Sequence, residues 1–273
     1  MKIAACIANE VGFELLKFLV AQEQRLEYVV TAEQDSFAKS ISMLCGEYGI
    51  PCYQGMDINS AEYVAMNRDL DIDIVFLLWW PTIVKQAALA SVKRGFINTH
   101  PSLLPYNRGM NPYYWSIVDG TPAGVTIHWI DEEIDRGSIL FQKRLDVPIA
   151  ETGERLYKRA AAALIELFTM NFPKLLDPDV KSCKMHFVNN IVHRVRDMKQ
   201  HSCIDMEREY KARDLINILR ARTFTNGDSA YFYDGDKKYH IRVSISEADR
   251  EIHDSPLWHS IAQKRTVHAD SEA

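Results

Sequence analysis

No stretch of this chain approaches the roughly 18 uninterrupted apolar residues that a membrane span requires, and the opening MKIAACIAN is too short an apolar run for a secretion signal. A cytoplasmic location without a membrane partner is the expectation. An excess of basic charge is missing too: 32 Lys and Arg stand against 37 Asp and Glu, for a net charge of −5. Nothing therefore draws the whole molecule to an anionic polymer, and no nucleic-acid partner is expected. The five cysteines, Cys6, Cys45, Cys52, Cys183 and Cys203, are odd in number and contain no Cys-x-x-Cys pair. That argues against zinc and redox motifs, so no metal site is expected and the thiols read as free and buried. The first turn, ANEVGF, lacks the Gly-x-Gly-x-x-Gly spacing of a dinucleotide fingerprint. Internal repeats and low-complexity segments are absent as well.

What is present is an alternation of strand and helix patterns. Apolar runs near Lys2–Ala8, Leu26–Val30, Ile72–Trp79 and Gly95–Asn98 alternate with helical spacing from Phe13, over Ser36–Tyr48 and over Ile83–Val92. This predicts an α/β fold, a Rossmann-like, mostly parallel sheet with flanking helices. Ala123–Ile130 and Ser138–Val147 then read as an antiparallel hairpin joined by DEEIDRG. Thr152 offers an N-cap to a long helix over Leu156–Phe172 that Pro173 should stop. The character changes after about residue 177. We expect a catalytic domain over 1–177, a smaller α+β module over 178–248 with a helix at Ala212–Ala221 and a hairpin turning at Asp234-Gly235, and a tail over 249–273.

Between the strand ending at Asn98 and a proline-rich turn stands NTHPSLLPYNRG, residues 98–109. Ligands of open α/β sheets sit outside the carboxyl ends of the strands, which is where Asn98 and His100 fall. The hairpin loop can bring Asp135 to the same crevice. An amide, an imidazole and a carboxylate together suit acyl transfer to an amine. The Asn98 N–H can meet a developing oxyanion, His100 can move a proton, and Asp135 can orient the imidazole. His128, inside a strand, reads as a packed structural residue.

Together N98-T-H-P-S-L-L-P105, Arg108-Gly109 and G124-V-T-I-H-W-I-D-E-E-I-D-R-G137 resemble the signature of the N10-formyltetrahydrofolate-dependent formyltransferases, over roughly residues 1–176. The resemblance implies that Asn98, His100 and Asp135 are the catalytic residues and that N10-formyltetrahydrofolate is the co-substrate. It also implies that the pterin lies against Trp80, Pro81, Thr82, Ile83 and Val84 on one side and Ile130, Asp131, Glu132 and Ile134 on the other. Trp80-Pro81-Thr82 departs from a family segment often rich in Tyr and Arg.

The size of the C-terminal part, LRARTF at Leu219–Phe224, Tyr231 to Tyr233, and LPYNRGMNPYYW at Leu104–Trp115 resemble the sugar-nucleotide members, of the dTDP-amino-dideoxyglucose N-formyltransferase type. By that resemblance the acceptor is the amine of a nucleotide-linked 3- or 4-amino-dideoxy sugar bound for a surface polysaccharide, such as a lipopolysaccharide O-antigen, and the enzyme is a homodimer. A nucleotide sugar needs aromatic faces and cations or backbone N–H groups. Arg108, Gly109, Asn111, Tyr113, Trp115, Arg220 and Phe224 are the candidate contacts. Arg220 and Arg222 have an alternative role as charges complementing a helix end. Methionyl-tRNA formyltransferase is the alternative activity, disfavoured by the acidic balance.

Overall fold

The computed structural model describes residues 1–186, 191–225, 227 and 229–247, and the expected tail over 249–273 lies outside the described residues. Met1–Val243 packs as one unit. Its elements run β1 (Ile3–Ile7), α1 (Asn9–Ala21), β2 (Leu26–Thr31), α2 (Ala38–Glu47), β3 (Cys52–Gln54), α3 (Ala61–Leu70), β4 (Ile74–Leu78), α4 (Gln86–Leu89), β5 (Gly95–His100), β6 (Arg108–Gly109) and α5 (Pro112–Val118). There follow β7 (Ala123–Trp129), β8 (Ile139–Leu145), α6 (Gly153–Leu176), β9 (Val192–His193), α7 (Val195–His201), α8 (Ala212–Ala221), β10 (Ala230–Asp234) and β11 (Lys237–Ile241).

The main sheet has seven strands in the order β3-β2-β1-β4-β5-β7-β8. It is parallel from β3 to β5, and β7 and β8 extend it antiparallel, as the expected hairpin requires. The strands alternate their side chains between two apolar layers, because successive residues of a strand point to opposite faces. Ile3, Ala5 and Ile7 of β1 join Leu15, Leu19, Phe168 and Phe172 from α1 and α6, while Ala4 and Cys6 join Tyr28, Tyr63 and Phe96 on the other face. The chain winds outward from β1 to β3, then returns to place β4 on β1's other side. The resulting switch point opens a crevice at the carboxyl ends of β1 and β4.

Three local expectations are corrected. The helix expected over Ile83–Val92 shrinks to α4, because Asn59 holds the preceding loop extended, donating to Ile83 O at 2.9 Å and accepting from Lys85 N at 2.6 Å. Pro173 lies inside α6, which continues to Leu176. The lost backbone bond is outweighed by Phe172 and Leu175, which stay buried in the core. Cys183 is exposed, not buried, since it extends the edge of β8 by an antiparallel bridge to Ile139.

In the C-terminal part, α8 buries Ile218 against Ile204 and Ala230, and β10 and β11 form the expected hairpin around Gly235, whose φ is +54°.

Candidate active site

The polar residues at the end of β5 are set by its pairing with β7. Asn98 stands opposite His128 and His100 opposite Thr126. Thr99, on the opposite face, is structural: its Oγ1 donates to Leu77 O at 3.0 Å and accepts from Trp79 N at 2.9 Å, fixing the end of β4. Thr126 Oγ1 donates to Ser102 O at 2.7 Å and accepts from Leu104 N at 3.1 Å, which fixes the turn after His100.

Asp135 reaches this strand end from the hairpin loop. Its Oδ2 lies 3.7 Å from His100 Nε2 and its Oδ1 lies 3.9 Å from His128 Nε2. The loop is drawn tight at Gly137, where an added Cβ would fall 1.8 Å from Trp129 O. Gly109 N donates to Asp135 Oδ2 at 2.9 Å, so the carboxylate is held from a third segment. His128 Nδ1 lies 2.8 Å from Trp129 O, a carbonyl that can only accept. The proton therefore sits on Nδ1, and Nε2 accepts from the Asn98 amide at 3.3 Å. Burial pushes the His128 imidazole down to about 4, which keeps it neutral. One Asn98 N–H is thereby occupied, and the other has no partner among the described residues. His100 differs from its neighbours: Nε2 is buried and has no hydrogen-bond partner among the described residues.

Two cavities meet at Trp80, Pro81, Asn98, His100, Gly109 and Met110. The larger, about 630 Å³, is bounded by Leu77, by the loop Trp80, Pro81, Thr82, Ile83 and Val84, and by Ile130, Asp131, Ile134 and Asp135 of the hairpin. The smaller, about 300 Å³, is bounded by Asn9, Asp35, Trp79, Asn111, Tyr113 and Tyr157. Its aromatic wall is continuous, with ring centroids 5.8 Å apart for Trp79 and Tyr157 and 5.6 Å for Tyr157 and Tyr113.

Residues 17–169, more than half of the chain, match the formyl transferase family. The chain belongs to that family. Residues 197–247 match the N-formyltransferase dimerization C-terminal domain. The bifunctional polymyxin resistance protein ArnA of Wigglesworthia glossinidia brevipalpis is 27% identical over 246 residues, which span 87% of this chain and 37% of that relative. The chain therefore spans little more than a third of the curated relative it matches. A Mycobacterium tuberculosis protein thought to be a sugar N-formyltransferase superposes with a TM-score of 0.77 at 25% identity, over 91% of this chain and 99% of that one. An N-formyltransferase of Helicobacter canadensis, solved with folinic acid and dTDP-3-aminofucose, shares the fold with a TM-score of 0.64 at 20% identity, over 82% and 81% of the two chains.

In this member of the formyl transferase family the structure sorts the residues singled out from sequence. Asn98, His100 and Asp135 converge, and the pterin candidates line the larger cavity with the exception of Glu132, whose place is taken by Glu133. Gly109, Asn111 and Tyr113 line the smaller cavity, while Arg108, Trp115, Arg220 and Phe224 line neither. Arg108 is buried with Nη1 donating to Ile134 O at 3.4 Å. Trp115 stacks on His193, centroids 4.1 Å apart. Arg220 Nη1 donates to Pro148 O at 3.0 Å and Glu151 O at 2.9 Å, and its Nε donates to Asn217. Phe224 packs behind Tyr113. Asn9, Asp35 and Tyr157 were not singled out from sequence. The strand-end position of Asn9 beside the switch point was the available signal. Tyr157 carried none, being one more aromatic on a long amphipathic helix.

Proposed function

We propose that this protein transfers the formyl group of N10-formyltetrahydrofolate to the primary amine of a nucleotide-linked amino-dideoxy sugar. The single observation that supports this most is the meeting of two unlike cavities at one imidazole nitrogen, His100 Nε2, that has no hydrogen bond among the described residues. The larger cavity fits a flat heteroaromatic ring by its apolar walls, Leu77, Trp80, Val84 and Ile130, with backbone groups of the two loops at its edges. The smaller has the aromatic faces that suit a sugar or a base.

Bound in the larger cavity, the folate would supply an activated formyl group. The remaining work belongs to side chains of this chain. The free N–H of Asn98 meets negative charge developing on the formyl oxygen. His100 takes the proton that the attacking amine loses and returns it to the departing nitrogen, so one carbon–nitrogen bond forms, one breaks, and no net proton is consumed. Asp135, held by Gly109 N, orients His100. His128 keeps the Asn98 amide aimed.

We further infer that the catalytic unit ends near residue 177, that 178–248 mediates homodimerisation, and that the protein works in the cytoplasm on a precursor of a surface polysaccharide. A thymidine diphosphate sugar aminated at C3 or C4 is the acceptor we favour, consistent with the ligand of the Helicobacter canadensis protein. The test is incubation with N10-formyltetrahydrofolate and a panel of dTDP-, UDP- and GDP-linked amino sugars, read by mass spectrometry. We expect a product heavier by one formyl group from a dTDP sugar. Formylation of methionyl-tRNA with no sugar product would overturn the assignment.

A further inference from the structure

The two family matches leave residues 170–196 unassigned, yet Val192, His193, Arg194 and Val195 line the larger cavity. They are fastened there by the pairing of β6 with β9, which sets Arg108 beside Val192 and Gly109 beside His193. Met110 N donates to His193 O at 2.9 Å. The approach at Gly109 is so close that an added Cβ would lie 2.3 Å from His193 O, and its φ of +86° also favours glycine. The same residue donates to Asp135. The segment is thus tied to the catalytic loop through one glycine.

The walls of this cavity differ in charge. Leu77, Val84 and Ile130 give it apolar lining, and the hairpin brings Asp131 and Glu133, the latter ion-paired with Arg136, to one side. Arg194 stands on the segment at the rim with an exposed side chain. A ligand with a flat apolar head and a dianionic tail gains nothing from Asp131 and is drawn towards this cation. We propose that residues 192–195 form the tail-recognition wall of the formyl-donor site, with Arg194 pairing to the carboxylates of the donor's glutamate tail. This rests on the assignment of a folate donor to the larger cavity.

Calorimetric titration of the full chain with 5-formyltetrahydrofolate, its triglutamate and 5-formyltetrahydropteroate, which lacks the glutamate, tests it. For the wild type we expect the pteroate compound to bind about tenfold more weakly than the monoglutamate. Arg194→Glu should weaken the monoglutamate about tenfold, weaken the triglutamate more, and leave the pteroate compound unchanged; Arg194→Lys should keep most of the affinity. Equal wild-type affinity for the tailed and tailless compounds would overturn the inference while sparing the donor assignment, as would an Arg194→Glu protein that binds like wild type or loses all three ligands alike. A wild type that binds none of the three would overturn the donor assignment itself, and this inference with it.

Discussion

Two pairs of neighbouring strands in one sheet are equally buried and differently furnished. β1 and β4 are five residues each, all buried and all apolar. β5 and β7 are buried almost throughout, yet carry Asn98, Thr99, His100, Thr126 and His128. Burying polar groups is costly unless they are bonded, so each of these demands an account. Thr99 and Thr126 are satisfied by backbone and serve to shape loops. Asn98 and His128 satisfy one another in part. Of these five, His100 alone keeps a buried side-chain nitrogen without a hydrogen bond among the described residues. The comparison separates polar residues that bond within the fold from the one to which we assign the chemistry.

The sharpest way to break that comparison is to truncate on the polar side. His100→Ala should lower turnover by roughly 10² to 10⁴, and Asn98→Ala by roughly 10² to 10³, with circular dichroism and thermal midpoint near those of the wild type. Near-normal turnover in either variant removes the proposed roles. The converse belongs to the apolar side. Phe76, on β4, is fully buried and packs edge-on against Phe168 with centroids 5.4 Å apart. Phe76→Ala should cost about 3 to 5 kcal/mol of stability in denaturant titration, with kcat per folded molecule little changed; a selective loss of kcat would blur the distinction.

Gly109→Ala lies between the two classes. Its Cβ would collide with His193 O, so the strand pair must part and Asp135 must lose the Gly109 N–H or shift with it. Displacements of about 1 Å at a catalytic group can cost roughly 10² in rate. We expect a loss of that order in kcat with a smaller change in unfolding midpoint. A variant that loses stability but keeps kcat would show that the glycine serves packing alone.

The strand and helix alternation was legible because hydrophobic periodicity is a local signal, and Asn98 and His100 were legible because a strand end is recognisable from its flanks. Asp135 could be brought to them by the hairpin, whose two strands also read locally. The pairing of Arg108-Gly109 with Val192-His193 was not legible, since strands of two residues carry no period and their partner lies in a remote part of the chain. Arg220 shows the same limit. Its charge suggested an anionic ligand or a helix end, whereas its guanidinium grips two backbone carbonyls of the loop before α6, contacts that no local pattern encodes. Asn59 shortened a helix by bonding a loop far along the chain, and nothing in the helical spacing of Ile83–Val92 could report it.

The smallest effect tests whether His128 belongs with the builders or with the chemistry. Its folded pKa of about 4 lies below the 6.5 of an unperturbed imidazole, chiefly because burial penalises the charged ring, with opposed smaller contributions from Asp135 and His100. Above pH 6.5 both folded and unfolded chains hold it neutral, and it adds no pH dependence. Between 6.5 and 4 the unfolded chain takes up a proton that the folded one refuses, so stability falls as pH falls, by about 1 kcal/mol at pH 5.5. Below 4 both forms are protonated and the slope from this group ends. His128→Gln retains a donor and an acceptor but cannot titrate, so its thermal midpoint should decline less than that of the wild type from pH 7 to 5.5. A builder's role further predicts that the variant keeps the acid limb of the wild-type rate profile, because the buried His128 stays neutral down to about pH 4. Should the acid limb move with His128→Gln, the ring that aims Asn98 would also be taking part in proton transfer, and the division between the two histidines would fail.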